Sequence, residues 1–547
     1  MSKSNRFFLG LNFGLFGFIF WHLAKEMLQV RENGWFVGQV NLYGDLVFHL
    51  GFINKFLESG KIIVESPIFA GNKANYPIFA DLATAQIARI TGVDFALFIT
   101  TFLGGFLVVY IARLFILNFF KNEKIVFLAL LLFFINGGFG FYYFFRDFAA
   151  SNMGILQFLS ALPNEYTDIK EKGYWWINTY LAYFLPQRGF LFAFPITLLV
   201  LSSLYLGFKK GKKHFFLVAG LMAGVLPIIQ AHSLFVIFLV TLFFAAFTIL
   251  NSKEKIKTIF LWGIFATTTA AIATPLFGLI SQASNPLEFF RFDPGWTSQE
   301  NIFWFWLKNL GLFGPILAAS LIWLFHKNRH LFILYLPFLA IFIISNIFVF
   351  QPWDFDNSKL LVYWFFASTV VVAYFLHDRF LTESLTRRIT GVIFVFLMIF
   401  SGSLDLLRTF TKVTSYQIFS NADLEVASQV ANLTPKDVIF VTAPWHNHPI
   451  PALAGRSTLL GFHGWAWSHG LDFQKRAADV TIIYLGGSEA DRLIGKYRVS
   501  YVAVGLPERS TFSINESYFS KFPSIILGRN WIVYDVSNLW SDSDRQD

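Results

Sequence analysis

Cysteine is absent from the sequence, and charged residues are few. The lack of Cys among 547 residues excludes disulfides, thiolate metal sites and cysteine nucleophiles, and it leaves the redox compartment undetermined. Only 14% of the residues are charged, whereas 55% are hydrophobic and Phe alone occurs 71 times. Soluble globular chains of this length carry much more charge, so the sequence predicts a polytopic membrane protein.

Nucleotide-binding motifs and internal repeats are also lacking. No P-loop or Rossmann fingerprint opens any apolar segment, and the short basic connections are too small to hold a nucleotide-binding fold. An enzyme built in this way would take its donor from the membrane. The net charge of +9 does not indicate a nucleic-acid partner, because membrane proteins collect Lys and Arg on cytoplasmic loops.

Long apolar runs dominate the first three quarters of the chain. Since about 20 apolar residues suffice to cross a bilayer, the sequence predicts about eleven transmembrane helices. They lie near 7–28, 95–118, 125–145, 189–208, 214–230, 233–251, 258–281, 303–325, 331–350, 360–377 and 389–410. No small-residue cleavage site precedes Arg31, so the first segment is predicted to stay as an anchor. Residues 77–93 carry several polar side chains, and we predict an interfacial helix there.

The connections between these segments alternate in character. One set is short and basic, and it predicts a cytoplasmic side that includes the N-terminus. Its members are Lys121-Asn-Glu-Lys124, Lys209-Lys-Gly-Lys-Lys213, Lys253-Glu-Lys-Ile-Lys257, His326-Lys-Asn-Arg-His330 and the stretch 378–388. The other set is long and aromatic (29–94, 146–188, 282–302 and everything after 410), and it predicts the extracytoplasmic face of the plasma membrane. This assignment depends on 214–251 forming two helices. The alternative is one long tilted helix, which would place every later connection on the opposite side of the membrane.

The composition becomes that of a soluble protein near residue 411. Residues 437–442 and 500–505 read as buried strands, while 421–432, 470–485 and 488–497 have helical patterning. The predicted fold is therefore an all-α transmembrane domain over 1–410, with a long external loop at 29–94, followed by a small external α/β domain over 411–547.

An acidic and an imidazole side chain share one helical face in the first external loop. Asp45 and His49 are four residues apart, so on a helix they point the same way. A carboxylate beside an imidazole can accept a proton from an attacking hydroxyl, or can orient a substrate. The alternative is a helix whose polar side faces water.

Cations also occur on the predicted external side, where the positive-inside rule disfavours them. Arg188 and Lys359 each stand at the start of an apolar segment, and both Arg and a helix N-terminus suit a phosphate. Snorkelling to lipid headgroups is the alternative. We group Gln187, His232, Trp353 and Asn357 with them as candidate substrate contacts.

The stretch Gln351–Lys359 places three charges between two apolar runs. A charge in hydrocarbon costs about 3 kcal/mol, so such a stretch is either functional or a loop at the membrane surface. Asp354 and Asp356 have the spacing of a clamp for Mg²⁺ or Mn²⁺. Ion pairs with Arg188 and Lys359 are the alternative to a metal ion, and no other cofactor is indicated.

Two further stretches, 445–448 and 461–470, combine four His with three Trp in the predicted soluble domain. The spacing is not diagnostic of zinc, which needs three or four ligands. Aromatic side chains on Gly-rich loops can instead bind sugar, or rest at the membrane interface. We favour an aromatic cover over the membrane site.

With many crossings, a long first external loop carrying Asp45 and an external C-terminal domain, the chain resembles the GT-C superfamily of integral-membrane glycosyltransferases. The stretches 351–359 and 461–470 are similar to those of uncharacterised bacterial and archaeal multi-spanning proteins. The resemblance implies a polyprenyl-phosphate-linked sugar donor and a loop carboxylate that serves as base or metal ligand. The sequence has Gly44-Asp45 where the superfamily commonly has an acidic pair.

Three hypotheses follow from the sequence. The first is the transfer of a sugar, a hexose or a pentose, from the lipid carrier to an unidentified acceptor on the external face. A transporter or flippase of a lipid-linked or anionic substrate is the second, although the apolar segments carry little charge and no repeat is found. The third is a scaffold that binds glycan or protein.

Overall fold

The computed structural model describes residues 2–60, 62, 65–281, 290–527 and 530–540. The helices in chain order are α1 Lys3–Lys25, α2 Val40–Ser59, α3 Phe79–Thr91, α4 Val93–Leu117, α5 Glu123–Phe134, α6 Phe141–Ala150, α7 Ile155–Ser160, α8 Phe190–Lys210, α9 His214–Gly224, α10 Ala231–Asn251, α11 Lys255–Ile280, α12 Ile302–Leu310, α13 Phe313–Lys327, α14 Arg329–Ser345, α15 Ser358–Leu376, α16 Leu385–Phe410, α17 Asn421–Leu433, α18 Pro449–Leu453, α19 His463–Ser468, α20 Gln474–Leu485, α21 Ser488–Tyr497, α22 Leu506–Thr511 and α23 Glu516–Phe519. The strands are β1 Gln29–Arg31, β2 Gly34–Val37, β3 Arg291–Phe292, β4 Phe348–Val349, β5 Tyr416–Ser420, β6 Ile439–Val441, β7 Ser457–Thr458, β8 Tyr501–Val504, β9 Ser524–Leu527 and β10 Trp531–Asp535.

The chain forms two compact units. Unit 1 comprises Met1–Met27, Ile99–Leu276 and Leu287–Ser415, and it contains most of the long apolar helices. Unit 2 comprises Leu28–Phe98, Phe277–Pro286 and Tyr416–Asp547. The predicted domain division at residue 410 stays a prediction, and the early part of the predicted connection 282–302 lies outside the described residues.

Unit 1 carries the membrane character of the chain. Within the described ranges, seven helices are long and apolar enough to cross a membrane: α1, α4, α8, α10, α11, α16 and the continuous helix Asp354–Leu381 that contains α15. The pair α12 and α13 passes the same test together but bends by 96°. The chain is therefore a multi-pass membrane protein, whereas the predicted number of about eleven crossings is not confirmed.

Glycine explains where two predicted crossings are interrupted. The segment predicted at 125–145 is divided, since α5 ends at Phe134 and α6 begins only after Gly137-Gly138. The segment predicted at 303–325 breaks at Gly311, whose φ of +58° lies in the left-handed region that a side chain disfavours. The stretch 214–251 forms two helices joined by a turn that contains Pro227, as predicted.

Close packing in unit 1 depends on small side chains. A Cβ placed on Gly220 or Gly224 of α9 would lie 2.7 Å from Thr268 or 2.6 Å from Ile272 of α11. This four-residue glycine spacing lets two apolar helices approach closely enough for van der Waals contact to hold them. Bulky rings fill the space between other helices; Phe133 and Phe194, for example, stack with centroids 5.5 Å apart.

Unit 2 contains two sheets. The smaller sheet is antiparallel in the order β1-β2-β5, so β5, the first strand after α16, pairs with a strand that follows α1. The larger sheet has the order β7-β6-β8-β10-β9; β6 runs parallel to β7 and β8, and β10 runs antiparallel to both of its neighbours. The predicted strands and helices of this region are confirmed, whereas its external position stays a prediction.

Candidate functional site

Helix α2 of unit 2 presents Asp45 one turn into the helix. The helix begins after Gln39, whose side-chain oxygen accepts from the backbone N–H groups of Asn41 and Leu42 at 2.8 and 3.2 Å, and it ends at Gly60 in the left-handed conformation. Asp45 is half-buried. The adjoining carbonyl of Gly44 accepts a hydrogen bond from Nε2 of the His446 ring at 2.9 Å.

His49, one turn further along α2, pairs with Asp81 in the first turn of α3. Its Nδ1 lies 2.9 and 3.0 Å from the two carboxylate oxygens, and the exposed fractions of the two residues are 3% and 0%. Because a carboxylate accepts, it holds a proton on Nδ1; in the neutral form of the imidazole, Nε2 is then the acceptor. Asp81 was not predicted as this partner from the sequence. The available signal was an acidic residue at the start of an otherwise semi-apolar helix.

Aromatic side chains of the C-terminal segment pack on the first half of α2. The His446 ring stacks on Tyr43 with centroids 5.3 Å apart, and it lies 4.7 Å from Trp465. Further along the helix, His469 lies 4.7 Å from the ring of Phe48. Both aromatic stretches therefore pack on the helix that carries Asp45, whereas an aromatic cover over the membrane site stays a prediction.

His448, another of the four histidines in the two aromatic stretches, belongs to the interior of unit 2. Its Nε2 donates to Glu508 at 2.7 Å, and the exposed fractions of the two side chains are 1% and 0%. The same carboxylate accepts from the backbone N–H groups of Ala443 and Gly505 at 2.9 and 2.8 Å, so it ties β6 to the turn after β8. Among the described residues, no group of three or more His, Asp or Glu side chains is arranged to hold a metal ion.

Arg188 of unit 1 is fully buried just before α8. Its guanidinium donates to the hydroxyls of Thr100 and Thr101 at 2.8 and 3.3 Å. Snorkelling to lipid headgroups, one of the two alternatives, is excluded for this side chain because its guanidinium lies inside unit 1. Gln187 precedes it and is half-buried.

The stretch Gln351–Lys359 forms a turn of 3-10 helix followed by the start of α15. Lys359 pairs with Asp356 at 3.0 Å, and both side chains are mostly buried. Asp354 pairs instead with Arg291, so each carboxylate has its own cation. Of the two predicted ion-pair partners, Lys359 is found and Arg188 is not.

The two other candidates in this stretch differ in environment. The amide nitrogen of Asn357 donates to the carbonyls of Ser345 and Phe348 at 2.9 and 2.6 Å, and its oxygen accepts from the backbone of Phe350 at 3.2 Å. Asn357 therefore fixes the loop that leads to α15. Trp353 is 46% exposed and offers an open aromatic face.

Several buried polar groups collect around the start of α15. The ring of His232 hydrogen-bonds the side-chain oxygen of Gln351, and it interacts electrostatically with the charges of Lys359 and Asp356. We call this set the α15 cluster; its members are Tyr183, His232, Gln351, Asp356, Ser358 and Lys359.

Three atoms of the α15 cluster are left without a hydrogen-bond partner among the described residues. They are the amide nitrogen of Gln351, the hydroxyl of Ser358 and the hydroxyl of Tyr183, and all three are buried. The hydroxyls of Ser358 and Tyr183 are near each other but do not meet hydrogen-bond geometry. Burial raises the pKa of Tyr183, so its hydroxyl stays protonated and can donate. Buried donors without partners are uncommon, and they suit a ligand that accepts hydrogen bonds.

The sequence-predicted site residues are thus divided between the units. Asp45 and His49 belong to unit 2, and the remaining candidates belong to unit 1. Within unit 1, the structure brings His232 and Lys359 together.

Comparison with solved structures identifies the fold. The oligosaccharyltransferase of Archaeoglobus fulgidus in its apo form aligns with a TM-score of 0.53 and 12% identity, over 91% of this chain and 70% of the archaeal chain. ArnT of Cupriavidus metallidurans in its apo state aligns with a TM-score of 0.51 and 12% identity, over 97% of this chain and 98% of the bacterial chain. No protein-family profile matches the sequence, and no curated protein matches it. Both solved proteins are GT-C glycosyltransferases, so the chain has the GT-C fold and the predicted resemblance is confirmed at that level.

Proposed function

We propose that this chain is a membrane glycosyltransferase that moves a sugar from a polyprenyl-phosphate carrier to an acceptor, on the membrane face opposite the basic loops. The observation that carries the proposal is the α15 cluster. It combines the cation of Lys359 with buried donors that have no partner within the described ranges, at the N-terminus of a 19-residue helix. A cation, open donors and a helix N-terminus are the features that recognise a phosphate.

The fold supports a sugar rather than another group as the moiety transferred. A fold alone does not fix a function. One of the two aligned proteins is nevertheless named for the transfer of an oligosaccharide. A long apolar carrier also suits a chain whose helices are exposed to hydrocarbon.

In the proposed reaction, Asp45 is the base. Its carboxylate takes the proton of the acceptor hydroxyl as that oxygen attacks the anomeric carbon of the sugar, and the bond from this carbon to the phosphate oxygen breaks with inversion. The proton ends on Asp45, and the phosphate leaves with an added negative charge. His49, held by Asp81, orients the acceptor.

Cations receive the leaving group in this proposal. Lys359 and Arg188 stabilise the developing charge on the phosphate, because fixed charges in a dry site need no reorganisation during the reaction. Gln187, His232 and Trp353 contact the substrate, with the exposed ring of Trp353 suited to a sugar face. Asn357 contributes by holding the turn that carries Gln351.

A metal ion is not part of the proposed reaction. Asp354 and Asp356 were candidate ligands for Mg²⁺ or Mn²⁺, but each carboxylate is already neutralised by its own cation. A divalent ion would have to displace both Arg291 and Lys359. The proposal therefore adopts ion pairing, the other alternative, for these carboxylates.

Replacement of Asp45 by Asn tests the base. The purified protein in proteoliposomes would be supplied with a synthetic polyprenyl-phosphate hexose or pentose and a total membrane extract as acceptor source, and the release of polyprenyl phosphate would be measured. Loss of a general base typically lowers a rate by about 10²–10⁴-fold, so we expect D45N to show a loss of that size. Asp94→Asn is the matched control, because Asp94 is an exposed acidic residue of α4.

Two outcomes would overturn parts of this proposal. Unchanged release by a folded D45N protein would remove Asp45 as the base. Movement of the lipid-linked sugar across the bilayer, with no release by the wild-type protein, would favour the transporter hypothesis instead.

A further inference from the structure

A cavity lies among the helices of unit 1, lined by none of the residues of the α15 cluster. Its volume is about 420 Å³, and five helices contribute to its wall: α4, α8, α10, α11 and α14. This volume is within the range of about 300–1,000 Å³ that is common for small-molecule sites. The cavity is therefore large enough to bind part of a ligand.

The wall of the cavity is almost entirely hydrocarbon. Phe and Leu side chains such as Phe208, Phe247 and Leu334 dominate it, and no carboxylate is among its described lining residues. One polar pair in the wall satisfies itself, since the indole N–H of Trp262 donates to the Thr248 hydroxyl at 2.9 Å. A polar ligand would lose its hydration without gaining hydrogen bonds in this interior. The cavity therefore suits an aliphatic ligand, or the aliphatic part of a larger one.

Two basic side chains also line the cavity. Lys209 is in the last turn of α8 and His330 is in the first turn of α14, and both are exposed. The Lys209 ammonium lies 5.7 Å from the Tyr205 ring, which is a further lining residue. The cavity thus combines an aliphatic interior with basic side chains at the ends of two helices.

The loops next to these two residues add positive charge. Lys209-Lys-Gly-Lys-Lys213 contains four lysines and no acid. In His326-Lys-Asn-Arg-His330, the Lys327 ammonium lies 3.7 Å from Asp378 and leaves the charge of Arg329 in excess. Basic pockets between transmembrane helices attract the headgroups of anionic lipids.

We propose that this cavity binds an anionic phospholipid from the leaflet at the basic end of the helices. One acyl chain occupies the space among α4, α8, α10, α11 and α14, and the phosphate of the headgroup pairs with Lys209 and His330. The charge complementarity of the rim selects an anionic headgroup, whereas the wall accepts any aliphatic chain. The proposal concerns a site other than the α15 cluster and does not depend on the proposed sugar transfer.

A paired comparison of variants tests the selection of the headgroup. Delipidated protein would be titrated with dioleoyl phosphatidylglycerol and with dioleoyl phosphatidylcholine, and bound lipid would be counted by native mass spectrometry. We compare Lys209→Gln with His330→Gln in one protein against Lys210→Gln with His326→Gln in another. The control pair removes the same two residue types from the same two loops, outside the cavity lining.

We expect phosphatidylglycerol to bind the wild-type protein and the control more tightly than phosphatidylcholine. The protein with Lys209→Gln and His330→Gln should lose this preference by about fivefold or more, because the loss of one basic residue near an anionic membrane surface already has about that effect. Equal binding of the two lipids by the wild-type protein would overturn the proposal. An equal loss in the control would also overturn it, because the basic loops would then attract lipid without the cavity.

A cavity-filling variant tests the position of the acyl chain. Ile333→Phe enlarges a half-buried lining side chain, so we expect it to lower the affinity for both phospholipids while the melting temperature stays within a few degrees. Leu334→Phe serves as a second variant if the first protein does not fold. Undiminished binding in a folded variant would place the lipid elsewhere and overturn the assignment. Preferential binding of synthetic polyprenyl phosphate over phosphatidylglycerol in the wild-type protein, lost in Ile333→Phe, would likewise replace the phospholipid.

Discussion

One buried polar pair of unit 2 and one buried polar cluster of unit 1 are satisfied in opposite ways. In unit 2, His49 and Asp81 bond each other and are both buried. In unit 1, the α15 cluster contains an ion pair, yet it leaves the amide nitrogen of Gln351 and the hydroxyl of Ser358 without partners among the described residues. The first arrangement fixes one side chain, whereas the second is suited to receive a ligand.

This difference has an energetic consequence. Removing one partner of a buried charged pair typically costs about 3–5 kcal/mol, because the other partner is left uncompensated. A buried donor that has no partner costs about 1–3 kcal/mol already, and a ligand can recover that cost. Substitutions in the pair should therefore affect folding, whereas substitutions of the open donors should affect binding.

Among the variants that test this comparison, Asp81→Asn is expected to have the largest effect. An amide in place of the carboxylate can donate to His49 and move the imidazole proton to Nε2, so His49 would lose its acceptor at that position. We expect transfer to fall about 100-fold, with a marked drop in melting temperature as well. The tautomer of His49 is measured by ¹⁵N NMR of labelled histidine, beside the release of polyprenyl phosphate.

Glu508→Gln is a matched control for this variant. His448 and Glu508 form another buried imidazole–carboxylate pair in unit 2, away from Asp45 in sequence. The control should lose stability but keep its specific activity per folded molecule. If both variants lose activity only in proportion to their loss of folded protein, then Asp81 has no role beyond stability.

Many of the elements that carry these residues could be predicted from the sequence. Apolar runs of sufficient length locate long helices such as α4, α8 and α10, because these helices are hydrophobic along most of their length. The spacing of Asp45 and His49 places them on one face of α2. Alternation and turn residues locate β6 and β8.

The contact partners of the site residues could not be predicted from the sequence in the same way. Asp81 is 32 residues from His49, and the threonines that hold Arg188 are nearly 90 residues from it. Periodicity reports which face a residue occupies, but not which other element packs against that face. The bend at Gly311 was missed for a related reason, because hydropathy averages over a window and does not register one residue with positive φ.

A smaller effect is expected for Lys359→Met, which removes the cation of the α15 cluster. A hydrogen bond to a charged group contributes about 1.5–3 kcal/mol, so the affinity for a polyprenyl-phosphate sugar should fall by one to two orders of magnitude. Affinity is measured by titration of the purified protein with a synthetic donor. The dependence of the transfer rate on acceptor concentration should change less.

Lys257→Met provides the comparison for this variant. Lys257 and Glu254 are also three residues apart and paired, at 2.7 Å, but both side chains are largely exposed. Exposed pairs contribute little, so neither stability nor donor affinity should change measurably. Unchanged donor affinity in Lys359→Met would return the stretch Gln351–Lys359 to a loop at the membrane surface.

The smallest and most discriminating effect is expected along α15 itself. Ser358 has no hydrogen-bond partner within the described ranges, whereas Ser368 donates to the Trp364 carbonyl at 2.8 Å and bonds the Tyr335 hydroxyl at 2.8 Å. Ser368→Ala should lower the free energy of unfolding by about 1 kcal/mol and leave donor affinity unchanged. Ser358→Ala should raise the free energy of unfolding, because it removes an unsatisfied group from the folded protein. It should lower donor affinity, because it also removes a bond to the ligand. Denaturation midpoints and donor titrations of the two variants decide the matter; a loss of stability without loss of affinity in Ser358→Ala would mean that this hydroxyl bonds the protein rather than a donor.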